Sequence, residues 1–127
     1  MTKSILVVDD ESGIRHILRM ILEAEGFDVL ETDNGLEALR QIRHNQPDAI
    51  IADIMMPKMD GFTMCRALRL KPTTADIPII MMSGSSDPDN MMDSLRSGAN
   101  AYLSKPSMFD AIVRHLQDLL FLQPMAA

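Results

Sequence analysis

Five short apolar runs alternate with stretches whose apolar residues recur at helical spacing, and this alternation restricts the possible folds more than any other feature. The runs occupy residues 5–8, 27–30, 49–54, 77–82 and 101–103. Several are too continuously apolar to leave one face in water, as expected of strands buried in a parallel sheet. Between them, Ile14, Ile17, Leu18, Ile21 and Leu22 follow the helical period, and Asn34 with Glu37 resembles a capping box ahead of Leu36, Leu39 and Ile42. Asp60 is placed to cap a helix bearing Met64, Ala67 and Leu68. Asp87 and Pro88 read as a cap with a first-turn proline, and Gly98 as the stop. Ser107 with Asp110 opens a last helix bearing Phe109, Ile112, Val113, Leu116 and Leu120. Five βα units follow, so the expectation is a doubly wound α/β fold: a five-stranded parallel sheet with helices on both faces. Functional groups then gather at the carboxyl ends of the strands.

Size and charge narrow the function. At 127 residues the chain suits one domain, expected over residues 1–127 with its core at about 3–122 and a short tail at 123–127. The single cysteine, Cys65, has no internal disulfide partner, and the first ten residues lack the apolar core of a secretory signal, so the cytoplasm is the expected compartment. No apolar run approaches the roughly 20 residues that span a bilayer, so membrane insertion is not expected. With 18 acidic and 12 basic residues, net charge −6, the chain lacks the basic footprint of a module that grips nucleic acid directly.

The chemistry collects at the strand ends. Asp9 and Asp10 close the first predicted strand, Asp53 the third, Ser83 the fourth and Lys105 the fifth. On one sheet edge, three carboxylates repel one another unless a cation intervenes. A hard divalent ion such as Mg2+, with Mn2+ as a substitute, suits oxygen ligands and keeps several waters. Lys105 supplies a mobile charge and Ser83 a hydroxyl for phosphoryl oxygens, which leaves one carboxylate as a nucleophile. Taken singly, a strand-end aspartate is as readily a turn residue or a helix cap, and Ser12 is available to cap the first helix. The joint pattern is what favours a site.

VVDDE, DIMMPKMDGF, the apolar run ending in Ser83-Gly84, and GANAYLSKP occur in that order, and together they resemble the receiver domain of two-component response regulators. The resemblance runs from Lys3 to about Leu122. It implies a flavodoxin-like strand order 2-1-3-4-5 and a phosphorylation-controlled switch. Asp53 resembles the phosphoacceptor, Asp10 the direct magnesium ligand, Asp9 the acid acting largely through water, and Met55 the residue whose main-chain carbonyl completes the site. Ser83 is similar to the switch hydroxyl, Tyr102 to the switch aromatic, and Lys105 to the lysine that pairs with the phosphoryl group. A cis peptide between Lys105 and Pro106 is also implied. The implied donor is a sensor histidine kinase or a histidine phosphotransfer protein. A downstream target, or a second copy of the phosphorylated chain, is the implied reader.

Two rival classes fit the residues less well. A phosphatase-type enzyme that forms an aspartyl phosphate resembles D-x-D, but Met55 stands where the second acid belongs and cannot transfer a proton. A nucleotide-binding module wants glycines after the first strand, whereas Asp9, Asp10 and Glu11 would repel a pyrophosphate. His16, His44 and His115 lack ligand spacing, so zinc is not expected. Met81 and Met82 read as core, Cys65 as a small buried hydrophobe, and one of the adjacent pair Met91 and Met92 as exposed. The resemblance puts the output on the fourth helix, fifth strand and fifth helix, with Met91, Met92, Arg96, Tyr102 and Phe109 as candidate contacts. The short C-terminal stretch fits a stand-alone receiver better than a module excised from a larger regulator or hybrid kinase.

Overall fold

A computed structural model describes residues 2–84, 87–105 and 107–121. Its elements run β1 (Ser4–Val8), α1 (Ser12–Ala24), β2 (Asp28–Thr32), α2 (Gly35–His44), β3 (Ala49–Asp53), α3 (Gly61–Arg69), β4 (Ile79–Ser83), α4 (Pro88–Ser97), β5 (Ala101–Ser104) and α5 (Met108–Phe121). The five strands form one parallel sheet in the order β2-β1-β3-β4-β5, as the resemblance implies.

The apolar runs are continuous because each central strand serves two cores at once. Successive side chains alternate across the sheet. Leu6, Val8, Ile50, Ala52, Ile79 and Met81 enter one core, covered by Ala38 and Ile42 of α2 and by Met64, Cys65 and Leu68 of α3. Ile5, Val7, Ala49, Ile51, Ile80 and Met82 enter the other, under Leu18 and Leu22 of α1 and Met108, Ile112 and Leu116 of α5. Met81 and Met82 are thus core residues of opposite faces, and Cys65 is buried with its thiol pushed above the usual range by burial.

Most helix ends form as their residues dictate. Asn34 accepts from Glu37 N–H at 2.8 Å, Asp60 from Thr63 N–H at 2.8 Å, and Asp87 from Asp89 N–H at 2.9 Å. Gly98 stops α4 in the left-handed region at φ 109°. One helix-end expectation needs correction. Ser12 is the first residue of α1 rather than its cap: Glu11 takes that position with no side-chain bond. Ser107 directly precedes α5, as expected, and its hydroxyl donates to the Ser104 carbonyl at 3.0 Å. The fourth strand also starts later than residue 77. Ile77 N–H is spent on the Thr74 carbonyl in a turn, and Pro78 has no N–H to give the ladder.

Arg69, at the end of α3, ties the loop before β4 to the loop after α4. Its guanidinium donates to the carbonyls of Gly98 (2.8 Å), Ala75 (2.9 Å) and Ile77 (2.7 Å) and to Asn100 Oδ1 (3.0 Å). Asn100 Oδ1 in turn accepts from Ile79 N–H at 2.8 Å, so the cation orients the start of β4 as well. Arg69→Ala strips several charge-assisted bonds from backbone carbonyls and is expected to destabilise the domain by about 2–4 kcal/mol. Urea unfolding followed by circular dichroism checks this; a loss under about 0.5 kcal/mol would show that water replaces the cation freely.

Candidate functional site

The carboxyl edge of the sheet brings the charged strand ends together. Val8 pairs with Ala52, so Asp9 and Asp53 lie side by side at the ends of neighbouring strands; Asp53 pairs with Met82, and Ser83 with Ser104, the residue before Lys105. Main-chain bonds hold this edge, with Lys105 N–H on the Ser83 carbonyl at 2.8 Å and Ile54 N–H on the Met82 carbonyl at 3.0 Å.

Lys105 bridges two of the carboxylates. Its Nζ lies 2.9 Å from Asp9 Oδ2 and 3.2 Å from Asp53 Oδ2, with Asp9 fully buried and Asp53 8% exposed at its side chain. Burial, then the Asp9 charge, pushes the Asp53 carboxyl above its usual range; Lys105 and the Met55 N–H, 3.4 Å from Asp53 Oδ1, offset this in part. For Lys105, burial works downward, but the hydrogen bond to Asp9 and the charges of Asp53 and Asp9 outweigh it and raise the pKa. Two acids against one base leave a net negative pocket.

Asp10 completes the cluster from the exposed side. Asp9, Asp10 and Asp53 each present an oxygen within 4.8 Å of the others, the one group of three or more potential metal-ligating acids, cysteines or histidines among the described residues. All the donors are hard carboxylate oxygens, and the pocket carries negative charge that Lys105 does not cancel. A divalent oxygen-seeking cation fits that donor set, since Mg2+ needs only one or two direct carboxylates and retains water elsewhere. Asp9 is already engaged at both oxygens, by Glu11 N–H at 2.9 Å and by Lys105. Met55 is 73% exposed in the turn after β3.

Of the other expected residues, Ser83 shares this edge and the rest lie away from it. Ser83 is buried at the end of β4; Tyr102 is half-buried on β5 and packs on the core beneath α2 and α3. Met91 and Met92 both face outward, each 44% exposed, rather than one of the two, and Leu95 joins them at 47%. Arg96 lies on the same helix, exposed, with Asp93 at 3.8 Å. Phe109 does not extend this patch: it packs on the opposite core beside α1 and α5. The Lys105–Pro106 bond involves a residue outside the described ones, and the tail after residue 121 lies wholly outside them.

Sequence reading missed the brace behind Asp9. Arg15 of α1 donates to the Asp9 main-chain carbonyl at 2.5 Å and to Glu31 Oε1 at 3.0 Å, while Arg19 holds the other Glu31 oxygen at 2.6 Å. The signal was Arg15 and Arg19 one helical turn apart with an unexplained acid, Glu31, in the second strand.

An open parallel sheet whose carboxyl edge carries three acids and a bridging lysine defines an α/β module for a cation and a phosphoryl group. Comparison with known proteins specifies which: the family described as the response regulator receiver domain matches residues 5–117, and the chain belongs to it. The response regulator MprA of Mycobacterium sp. (strain KMS) is 38% identical over 120 residues, covering 94% of this chain and 51% of that protein. The chain therefore spans about half the length of that relative. Among solved structures, the receiver domain of a signal transduction histidine kinase from Syntrophus aciditrophicus is 33% identical with a TM-score of 0.88, covering 99% of this chain and 98% of that one. The chemotaxis response regulator CheY4 of Vibrio cholerae is 30% identical with a TM-score of 0.87, covering 94% and 100%. The chain is a receiver domain, a phosphoacceptor signalling module with an acidic site able to hold a metal. Among the described residues, no helix is long and apolar enough to cross a membrane.

Proposed function

We propose that Asp53 accepts a phosphoryl group from a phosphohistidine on a sensor histidine kinase or phosphotransfer protein, and that the phosphorylated chain is read in the cytoplasm through the surface around α4. The observation that carries this reading is Lys105 Nζ held between Asp9 and Asp53, with Asp10 alongside, on one sheet edge. An Asp53 oxygen attacks phosphorus, the bond to the imidazole nitrogen breaks, and the leaving imidazole takes up a proton. Bound Mg2+, for which Mn2+ substitutes, supplies neutralising charge for the transferring group. Asp10 suits direct ligation because it is exposed, while Asp9, engaged at both oxygens, acts through water; Met55 contributes its main-chain carbonyl. Lys105 and Ser83 each hold a phosphoryl oxygen, so Lys105 exchanges Asp53 for its phosphorylated product. Attack by water at phosphorus later returns the carboxylate and inorganic phosphate.

Incubation with acetyl phosphate and Mg2+, followed by intact mass, tests the assignment. One phosphoryl group is expected on the wild-type chain and none without divalent cation; equal uptake in chelator would overturn the metal role. Asp10→Asn is expected to weaken Mg2+ binding by about tenfold or more while leaving the fold intact, measured by cation titration of the unphosphorylated protein.

The build of α4 supports its place in the output. Its buried residues include Ser94 and Ser97, whose hydroxyls bond back to the carbonyls of Asn90 and Ser94 at 2.7 Å, whereas Met91, Met92 and Leu95 face solvent. A helix seated on serines has little apolar burial to hold its position, and its exposed methionines suit a partner. In the phosphorylated form Ser83 moves toward the phosphoryl group and Tyr102 rotates into the space left, which biases α4 and β5. Arg96, and Phe109 at the start of α5, belong to the same contact surface. This surface serves target docking or dimerisation of the phosphorylated chain. Amide exchange with and without a stable phosphoryl mimic plus Mg2+ is expected to change across residues 88–109; change confined to the turn after Asp53 would overturn the output face.

A further inference from the structure

A second feature lies away from the carboxyl edge, between α2 and α3. There a groove of about 480 Å³ opens, with Leu36 and Leu39 on one bank and Ala67 and Leu68 on the other. Leu36 is 46% exposed, so the groove leaves apolar surface in water. Its charged lining is entirely basic: Arg40 and Arg43 on α2, and Lys71 just past α3. In a chain of net charge −6 this is a local reversal of sign. Arg40 meets Glu37 at 3.0 Å in an exposed pair, but among the described residues neither Arg43 nor Lys71 makes an ion pair.

We propose that this groove is a docking site for an acidic amphipathic helix of a partner protein. Two helices with apolar inner banks form a trough of the kind that receives a third, whose apolar residues at i, i+4 and i+7 enter while its flanks meet the rim. The rim cations stand on both banks, so the matching helix carries carboxylates on both flanks of its apolar stripe. α2 has 10 residues and is about 15 Å long, enough to seat about three turns. The alternatives fit less well. A small anionic ligand would stay half in water in a trough this open, whereas ligand pockets bury most of their occupant. Three cations on an acidic domain are too few to hold nucleic acid by its phosphates.

The site is separate from the surface around α4, and its occupation does not depend on phosphorylation.

The test uses the unphosphorylated, 15N-labelled full chain and a synthetic helical peptide of about 14 residues with leucines at i, i+4 and i+7 and glutamates flanking them. Amide shift changes are expected on α2 and the second half of α3, and not on α4. Replacing the peptide glutamates by lysine, or the protein rim by Arg43→Glu with Lys71→Glu, is expected to weaken binding at least about tenfold. Both protein positions are exposed, and an unchanged melting curve verifies that the double variant folds. Equal binding of acidic and basic peptides, shifts centred on α4, or no binding at about 1 mM peptide would overturn the proposal. So would tighter binding of octanoate than of the peptide in the same groove, which would assign it to a small anion.

Discussion

Asp53→Asn is expected to take up no phosphoryl group from acetyl phosphate or from a phosphorylated kinase, and to be more stable than the wild type at neutral pH without divalent cation. The first outcome follows from chemistry: an amide is a far poorer nucleophile than a carboxylate, and Asn changes little else in shape. The second follows from the environment of Asp53. Burial and the Asp9 charge raise its pKa, so folding makes ionisation of Asp53 harder than it is in the unfolded chain. A raised carboxyl pKa contributes stability below the unfolded value near 4, and that contribution is lost as pH climbs through the folded value. At pH 7 the ionised group is a net burden on the fold, which Asn removes. The stability gap between variant and wild type is therefore widest near neutrality and closes in acid, where Asp53 is protonated. Thermal melts from about pH 4 to pH 7 check this. Phosphoryl uptake by the Asn variant at the wild-type rate would displace the nucleophile to another residue. A destabilised variant at pH 7 would show that Lys105 outweighs the repulsion.

Lys105→Ala has the opposite sign. It leaves Asp9, fully buried, facing Asp53 with no cation between them, and removal of one partner from a buried pair costs about 3 kcal/mol or more. The raised pKa of Lys105 means that its contribution is complete below its unfolded value and is lost only as pH rises through the folded one, well above neutrality. The wild-type pair is thus intact at pH 7, and the whole loss is felt there. Mg2+ is expected to recover part of the stability, because a divalent cation meets the same two carboxylates. Denaturant unfolding with and without Mg2+ measures both effects. The variant is expected still to accept a phosphoryl group but to hold it without the lysine contact, so that amide protection on α4 and β5 no longer follows phosphorylation. Normal coupling in that phosphorylated variant would remove Lys105 from the switch.

These two residues also mark how far local sequence reaches. The alternation of apolar runs with helical periods dictates five βα units, because a strand buried on both faces must be apolar at every position and a surface helix on one stripe only. Caps at Asn34, Asp60 and Asp87 and the stop at Gly98 were legible for a like reason: each bonds or turns its own next few residues. So was the placement of Asp9, Asp10, Asp53, Ser83 and Lys105 at strand ends, since a charge closing an apolar run has to leave the sheet there.

What the sequence did not settle depends on distance through space. Strand order came from the resemblance and not from periodicity, since the same alternation suits several doubly wound sheets. The Arg15 and Arg19 brace on Glu31, and the tie from Arg69 to Gly98 and Asn100, join residues 12 to 31 positions apart, and no local period announces them. Ser12 looked like a cap by type, yet it falls one residue inside its helix. Met91 and Met92 are both exposed because α4 turns its serines inward, and that choice is made by how the helix sits on the sheet. The basic groove between α2 and α3 exists only because two helices 17 residues apart in the chain pack side by side and bring Arg43 to Lys71's end of the trough. Sequence alone determined which elements form and where their charges emerge, because those are decided by a residue and its near neighbours. Tertiary structure decided which charges meet and which apolar faces stay uncovered, because those are decided by partners that only folding brings together.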